Sequence, residues 1–290
     1  MSLHVVQYST GVASAEIAWR LVHERGPDDV VLLSADTLVE DADNWRFAHE
    51  VHGRLGCEWI ILAFGRTPMQ VGRDVGVVPN NRMAVCSRIL KRELLRGYID
   101  EHYDPAGAVI YEGYDWTEQD RIDLAVPHWA PYRLAVPLAE PPYTDKPDLL
   151  AAFRSRGIEP PLLYSYGLPH ANCGGACVRG GQAQWEVLLR INRPRYLEWE
   201  AEEEKSRAQL GKDVSILRDR TKGTLRPLTL RRFREGIDRQ PGLFDADDWG
   251  ACGCKDVSGS DAQPETRVPA TIRRYDPATG EWGNGMESAA

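Results

Sequence analysis

A mostly parallel five-stranded sheet flanked by helices, followed by a smaller helical, cysteine-bearing unit, is the α/β architecture the sequence predicts. Three observations carry this reading. Strand-like and helix-like patterns alternate over roughly the first 140 residues, as they must where parallel strands are joined by crossover helices. The first strand ends in small residues and re-enters a helix at Tyr8-Ser9-Thr10-Gly11-Val12-Ala13-Ser14. After Pro141-Pro142 the composition changes, with a second proline pair at 160–161 and glycine and cysteine at 173–181. The expected division is therefore 1–142 for the α/β unit, 143–255 for the helical metal-binding unit and 256–290 for a disordered tail rich in Gly, Ser, Pro and charge.

Leu3 to Tyr8 read as a buried strand, and from Ser14 the apolar residues Ile17, Ala18, Leu21 and Val22 recur at helical spacing until Gly26-Pro27. Val30 to Leu33 form the second strand. Asp41 and Asp43 suit a helix start, and Phe47, Ala48, Val51 and Leu55 give that helix one apolar face. Trp59 to Ala63 make the third strand, a helix is expected from about Ser87 to His102, and Ala108 to Tyr111 make the fourth strand. Glu118 to Val126 read as helical and Tyr132 to Val136 as a fifth strand. The helix from about Pro194 to Leu210 has proline in its first turn, Lys205 and Arg207 late and Gly211 as its stop.

The 290 residues carry a formal net charge of −8, so no global field draws the chain toward nucleic acid or an anionic membrane. No stretch approaches the roughly 18 apolar residues of a membrane span, and Met1 to Val6 lack the pattern of a secretory leader. Six cysteines, four of them in two close pairs, suit metal ligation in a reducing compartment. The expected location is the cytoplasm, without membrane contact.

A strand that stops at small residues before a helix points backbone N–H groups and the helix dipole at one spot, which binds phosphate. Here Ser9, Thr10, Gly11 and Ser14 supply hydroxyls and one permissive backbone position, without the lysine of a Walker loop. At these residues the sequence resembles the PP-loop, or adenine-nucleotide alpha-hydrolase, superfamily, whose signature is S-G-G-x-D-S. Ser9, Gly11 and Ser14 match; Thr10 replaces the second glycine, and Ala13 stands where many ATP-cleaving members carry aspartate. Members resembling phosphoadenosine-phosphosulfate reductases often lack that carboxylate, so the departure points to that branch.

Three further segments agree in order and spacing. Ser34-Ala35-Asp36-Thr37 is similar to the D-T element after the second strand of these reductases, Cys86 to Lys91 resembles their C-x-x-x-K segment, and Gly113 with Glu118 and Arg121 resembles an element after the fourth strand. The resemblance covers roughly residues 3 to 136. It implies a Rossmann-like, HUP-type fold and an adenine nucleotide, ATP included, with Mg as a further cofactor. The implied nucleotide-binding set is Tyr8, Ser9, Thr10, Gly11, Ser14, Asp36, Thr37, Gly113, Glu118 and Arg121. Arg88, Lys91 and Arg92, three and four apart, are expected on one helix face converging on phosphate or sulfate, with Cys86, Arg88 and Lys91 as the catalytic group.

Cys173-Gly-Gly-Ala-Cys177 and Cys252-Gly-Cys254 supply four soft ligands that suit tetrahedral zinc or an iron–sulfur cluster. In cluster-bearing adenylylsulfate reductases, cysteines in the segment of Cys86 join a later pair to hold a [4Fe-4S] centre. Cys86 then completes a cluster, carries sulfur as a persulfide, or is packed; Cys57 reads as structural and His170 as a surface residue or substitute ligand. A basic segment at 218–234 (Arg218, Arg220, Lys222, Arg226, Arg231, Arg232, Arg234) is either a solvated face or a contact for a nucleic-acid substrate.

The expected function is sulfur transfer or sulfonucleotide reduction by an adenine-nucleotide-binding enzyme. The alternatives are an ATP pyrophosphatase that adenylates a nucleic-acid or base substrate for thiolation, and a noncatalytic nucleotide-binding module with structural zinc.

Overall fold

The structure, a computed structural model, describes residues 2–219, 225–240, 248–250, 271–276, 279–283 and 286–287. Five parallel strands, β1 (Leu3–Gln7), β2 (Val30–Asp36), β3 (Glu58–Ala63), β4 (Ala108–Tyr111) and β5 (Arg133–Ala135), lie in the order β3-β2-β1-β4-β5. This is a Rossmann-like α/β sheet. Strands β1 to β3 are almost continuously buried, as expected where helices cover both faces.

On one face, α1 (Val12–Arg25) and α2 (Ala42–Leu55) pack Ile17, Ala18, Phe47 and Val51 onto Val6, Leu32 and Ile61. On the other, α5 (Leu94–His102) and α6 (Gln119–Trp129) pack Leu95, Ile99 and Ile122 onto Val5, Val31 and Ile60. A third core joins α3 (Pro68–Val75) and the short helix α4 (Val85–Ser87) to α8 (Gln182–Ile191), α9 (Arg193–Leu210) and α10 (Leu230–Arg239), around Trp185, Tyr196 and Phe233. A hairpin of β6 (Leu217–Asp219) and β7 (Arg226–Leu228) precedes α10.

The composition change at Pro141-Pro142 does not coincide with a change of packing partner. Helix α7 (Lys146–Ser155) lies against α1 on the sheet, with Phe153 edge-on to Phe47 at 5.1 Å. Conversely α3, well before the prolines, packs on α9.

Two expectations are corrected. The single helix expected from Ser87 to His102 is α4, then a π-helical segment at Arg88–Glu93, then α5. The tail expected to be disordered from 256 includes β8 (Thr271–Asp276), which adds antiparallel to β3 and pairs with β9 (Glu281–Trp282) and β10 (Met286–Glu287). The outer edge of β3 offers unpaired backbone groups that such a strand satisfies. Among the described residues no helix is long and apolar enough to cross a membrane.

The order of the strands positions the site. Chain progression runs outward from β1 through β2 to β3 on one side, then returns to β4 on the other side of β1. The loop after β1 therefore stands at the switch in strand order, at the carboxyl ends of the strands, where open α/β sheets bind ligands.

Candidate functional site

The turn after β1 is held open by its own side chains. Ser14 Oγ accepts from the Ser9 N–H (3.1 Å), lies 3.2 Å from Ser9 Oγ and donates to the Gly11 carbonyl (3.1 Å). Thr10 is left-handed at φ 61° and buried. Gly11 stands at the N-cap of α1 in extended conformation, and no side chain caps the helix. The first-turn N–H groups thus keep their capacity for an external acceptor, with the helix dipole behind them.

Gly113 explains itself at this point: a Cβ there would lie 3.0 Å from Ser14 N, so the loop after β4 presses directly on the first turn of α1. A Cβ on Gly11 would lie 3.3 Å from the hydroxyl of Tyr164, which reaches over the turn from the 3-10 segment Leu162–Tyr166. Tyr8 contributes only main chain. Its hydroxyl donates to the Ala48 carbonyl (3.1 Å) and its ring meets Trp59 edge-on, both on the core side.

The end of β2 brings a second set. Asp36 accepts from the Leu38 N–H (2.7 Å). Burial raises its carboxyl above the usual range, against the opposing pull of that N–H and of the Lys91 charge. Thr37 Oγ1 donates to Glu40 (3.4 Å), and Glu40 pairs with Lys91 at 3.5 Å. Ser9, Thr10, Glu40 and Lys91 line one recess. Thr37, Cys86, Lys91, Cys173, Cys177 and Arg179 line the next. Lys91 is thus on the wall of both.

The π-helical turn is what aims Lys91. In an α-helix residues five apart face different directions, whereas the wider i→i+5 turn stacks them. Cys86 and Lys91, five apart, line one recess, and Arg88 donates to Glu93, also five apart, at 2.8 Å. The expected convergence of Arg88, Lys91 and Arg92 on one face is an α-helical pattern, and the widened turn replaces it: Lys91 points inward and Arg88 is engaged with Glu93.

Cys173, Gly174 and Gly175 are successively left-handed (φ 53°, 57° and 83°). Arg195 holds this loop, donating to the Cys173 carbonyl (2.9 Å) and to the Val39 carbonyl. A Cβ on Gly174 would lie 2.4 Å from its guanidinium, so a larger residue there displaces the clamp. Gln184 donates to the Gly175 carbonyl (2.8 Å). Cys57, Cys86, Cys173 and Cys177 are buried and not in disulfides. Cys252 and Cys254 lie outside the described residues; the chain before them is fixed by a bridge between Gly180 and Gly250 and by Ala183 N–H donating to Asp248 (2.9 Å). Among the described residues no three His, Cys, Asp or Glu side chains are grouped to hold a metal ion.

Other expected residues lie apart from the two recesses. Glu118 and Arg121 pair with each other, and Arg121 stacks on Tyr114 at 4.4 Å. In the basic segment, Arg231 and Arg234 meet Glu200 at 3.5 and 2.7 Å, which answers cation with carboxylate inside the fold, while Arg220 and Lys222 lie outside the described residues. His170, expected at the surface, is buried. Glu40, Tyr164, Arg179 and Arg195 were not anticipated. Glu40 and Lys91 are 51 positions apart in sequence, a separation at which no periodic pattern pairs residues.

No protein-family model and no curated protein matches the chain. Among solved structures, the NH3-dependent NAD synthetase from Campylobacter jejuni subsp. jejuni NCTC 11168 in complex with the nitrate ion is similar at 14% identity and a TM-score of 0.37. The match covers 72% of this chain and 84% of that one.

Proposed function

We propose that the chain is an adenine-nucleotide-binding enzyme of sulfur chemistry, reducing a sulfonucleotide or transferring its sulfur. One observation carries this reading: Lys91 lines both the recess of the phosphate turn and the recess of Cys86, Cys173 and Cys177. A nucleotide whose phosphate rests on the first turn of α1 would extend its terminal group past Lys91 toward sulfur. The α1 amides hold the phosphate, and the Lys91 ammonium stabilises negative charge as it develops on the departing oxygen. The Cys86 thiolate attacks the sulfonate sulfur, a new S–S bond forms, the S–O bond to phosphate breaks, and the nucleotide leaves as its phosphate.

Cys173 and Cys177 are the described half of a four-thiol set completed by Cys252 and Cys254, and the bridge at Gly180 and Gly250 supports that pairing. The thiol chemistry suits zinc or an iron–sulfur cluster. When bound, such a centre supplies fixed charge or electrons beside Cys86. Ala13 occupies the first turn where ATP-cleaving relatives carry a carboxylate, which favours reduction over Mg-assisted adenylation.

The test is incubation with adenylyl sulfate or phosphoadenylyl sulfate and a dithiol, measuring sulfite and released nucleotide, alongside iron, zinc and sulfide content. The reading requires nucleotide-dependent sulfite from the native chain and none from Cys86→Ser. Nucleotide binding with no sulfite from either substrate would remove the sulfur chemistry.

A further inference from the structure

A second, larger groove runs between α3 and α9, enclosing about 570 Å³ including its open mouth. Its floor is Arg73, which donates to Glu202 (2.6 Å) and Ser206 (3.1 Å) and is only 7% exposed. Thr67 and Gln70 form a capping box at its α3 rim, and Glu198, Glu202 and Lys205 line its α9 rim. The inner end is the informative part. Pro68 and Trp199 line this groove and also line the cysteine recess, so one layer of side chains separates the two spaces. Three spaces therefore stand in series: phosphate turn, cysteines, and groove, with Lys91 at the first partition and Trp199 at the second.

We propose that the α3–α9 groove is a second entrance, through which a small zwitterionic thiol or disulfide reaches the cysteines without passing the nucleotide. It rests on the cysteine recess being the reacting centre proposed above. The lining selects the class of ligand. Arg73 and Glu202 answer each other, and beside them Glu198 and Lys205 on the α9 rim present one carboxylate and one cation to a molecule bearing both an ammonium and a carboxylate. Val39, Met69 and Trp199 accept its apolar, sulfur-bearing part. Displacement of the Trp199 ring joins the groove to the thiols. An entrance of this kind lets a second reactant act while nucleotide still fills the first recess.

The experiment uses the whole chain and two disulfide probes, zwitterionic cystine and neutral bis(2-hydroxyethyl) disulfide. The thiolate of a protein cysteine attacks one probe sulfur, forms a mixed disulfide with it, and releases the other half as a thiolate. Mass spectrometry reads the rate at Cys86. Gln70→Trp and Glu198→Trp, each made at the exposed rim, are expected to slow cystine incorporation by about tenfold, because exchange depends on access. Saturating AMP is expected to leave the native rate within about twofold, and Glu198→Gln with Lys205→Gln to remove the preference for cystine over the neutral probe. Unchanged rates in both tryptophan variants, or full protection by AMP, would overturn the proposal. If the chain bound no nucleotide, the variants would still decide whether the groove is the entrance.

Discussion

Glu40 and Lys91 form an ion pair at 3.5 Å with side chains only 4% and 12% exposed, on the wall between the turn after β1 and the cysteine recess. A buried pair of this kind stabilises little in total, because desolvation offsets most of the attraction, but removing one member strands the other charge. Lys91→Met alone is expected to lower stability by about 3 kcal/mol, and Lys91→Met with Glu40→Leu to recover most of that loss. Denaturant midpoints of the two single variants and the double variant check this; strictly additive losses would show that the pair is not coupled.

Gly113 lies under the first turn of α1, where a Cβ would come within 3.0 Å of Ser14 N. Gly113→Ala must push the turn that presents the amides. It is expected to destabilise the fold by about 1–3 kcal/mol, the usual range for overpacking, and to weaken nucleotide binding disproportionately. Gly11→Ala acts from above, through the Tyr164 hydroxyl at 3.3 Å, so Tyr164→Phe should restore the binding that Gly11→Ala loses. Failure of that rescue would mean that Tyr164 does not cover the turn.

Glu203 ties α9 to the hairpin and to α10, its two oxygens accepting from the N–H groups of Ile216 and Leu230, both at 2.7 Å. Burial pushes its carboxyl from 4.5 to about 7, with the two N–H bonds pulling the other way. The folded chain therefore holds a proton that the unfolded chain releases. Its contribution to stability is complete below pH 4.5 and is lost as pH rises through about 7, with an upper magnitude on the order of 3 kcal/mol. Unfolding titrations from pH 4 to 8 should show that decline, and Glu203→Gln should abolish it. The same substitution turns an amide donor toward one of the two N–H groups and should be less stable at every pH.

Cys57 offers a control among the thiols. Burial raises its thiol to about 11, whereas reactivity belongs to the thiolate. It is expected to stay unmodified by iodoacetamide at pH 8 in the folded chain and to react once denaturant is added. Rapid modification in the native state would contradict its placement beneath α2.

The five parallel strands and the turn between β1 and α1 were legible because both are local patterns. Leu3 to Tyr8 is an apolar run, the residues after it are small, and Ile17, Ala18, Leu21 and Val22 repeat at helical spacing. The π-helical turn was not legible, since Ser87 to His102 keeps an unbroken helical pattern and a single widened turn leaves little mark on it. That one local departure redirects Arg88 to Glu93 and Lys91 to Glu40. The β8 strand was hidden by the composition around it, although Thr271, Ile272 and Tyr275 are residues that strands favour. That Cys86 lines one recess with Cys173 and Cys177 was among the alternatives that the family resemblance implied. The Arg195 clamp and the Tyr164 cover had no sequence signal, because each depends on a contact across well over 100 positions or on a loop with no pattern of its own.

The proposed function requires the amides of α1 and the ammonium of Lys91 to grip one adenylate ligand together. Calorimetry with AMP and adenylyl sulfate measures this most directly, on the native chain and on Lys91→Met at matched folded fraction. A single site is expected, with affinity reduced about 10- to 100-fold in the variant, the range for one charge-assisted hydrogen bond of about 1.5–3 kcal/mol. No heat with either nucleotide, or equal affinity in the two proteins, would contradict it.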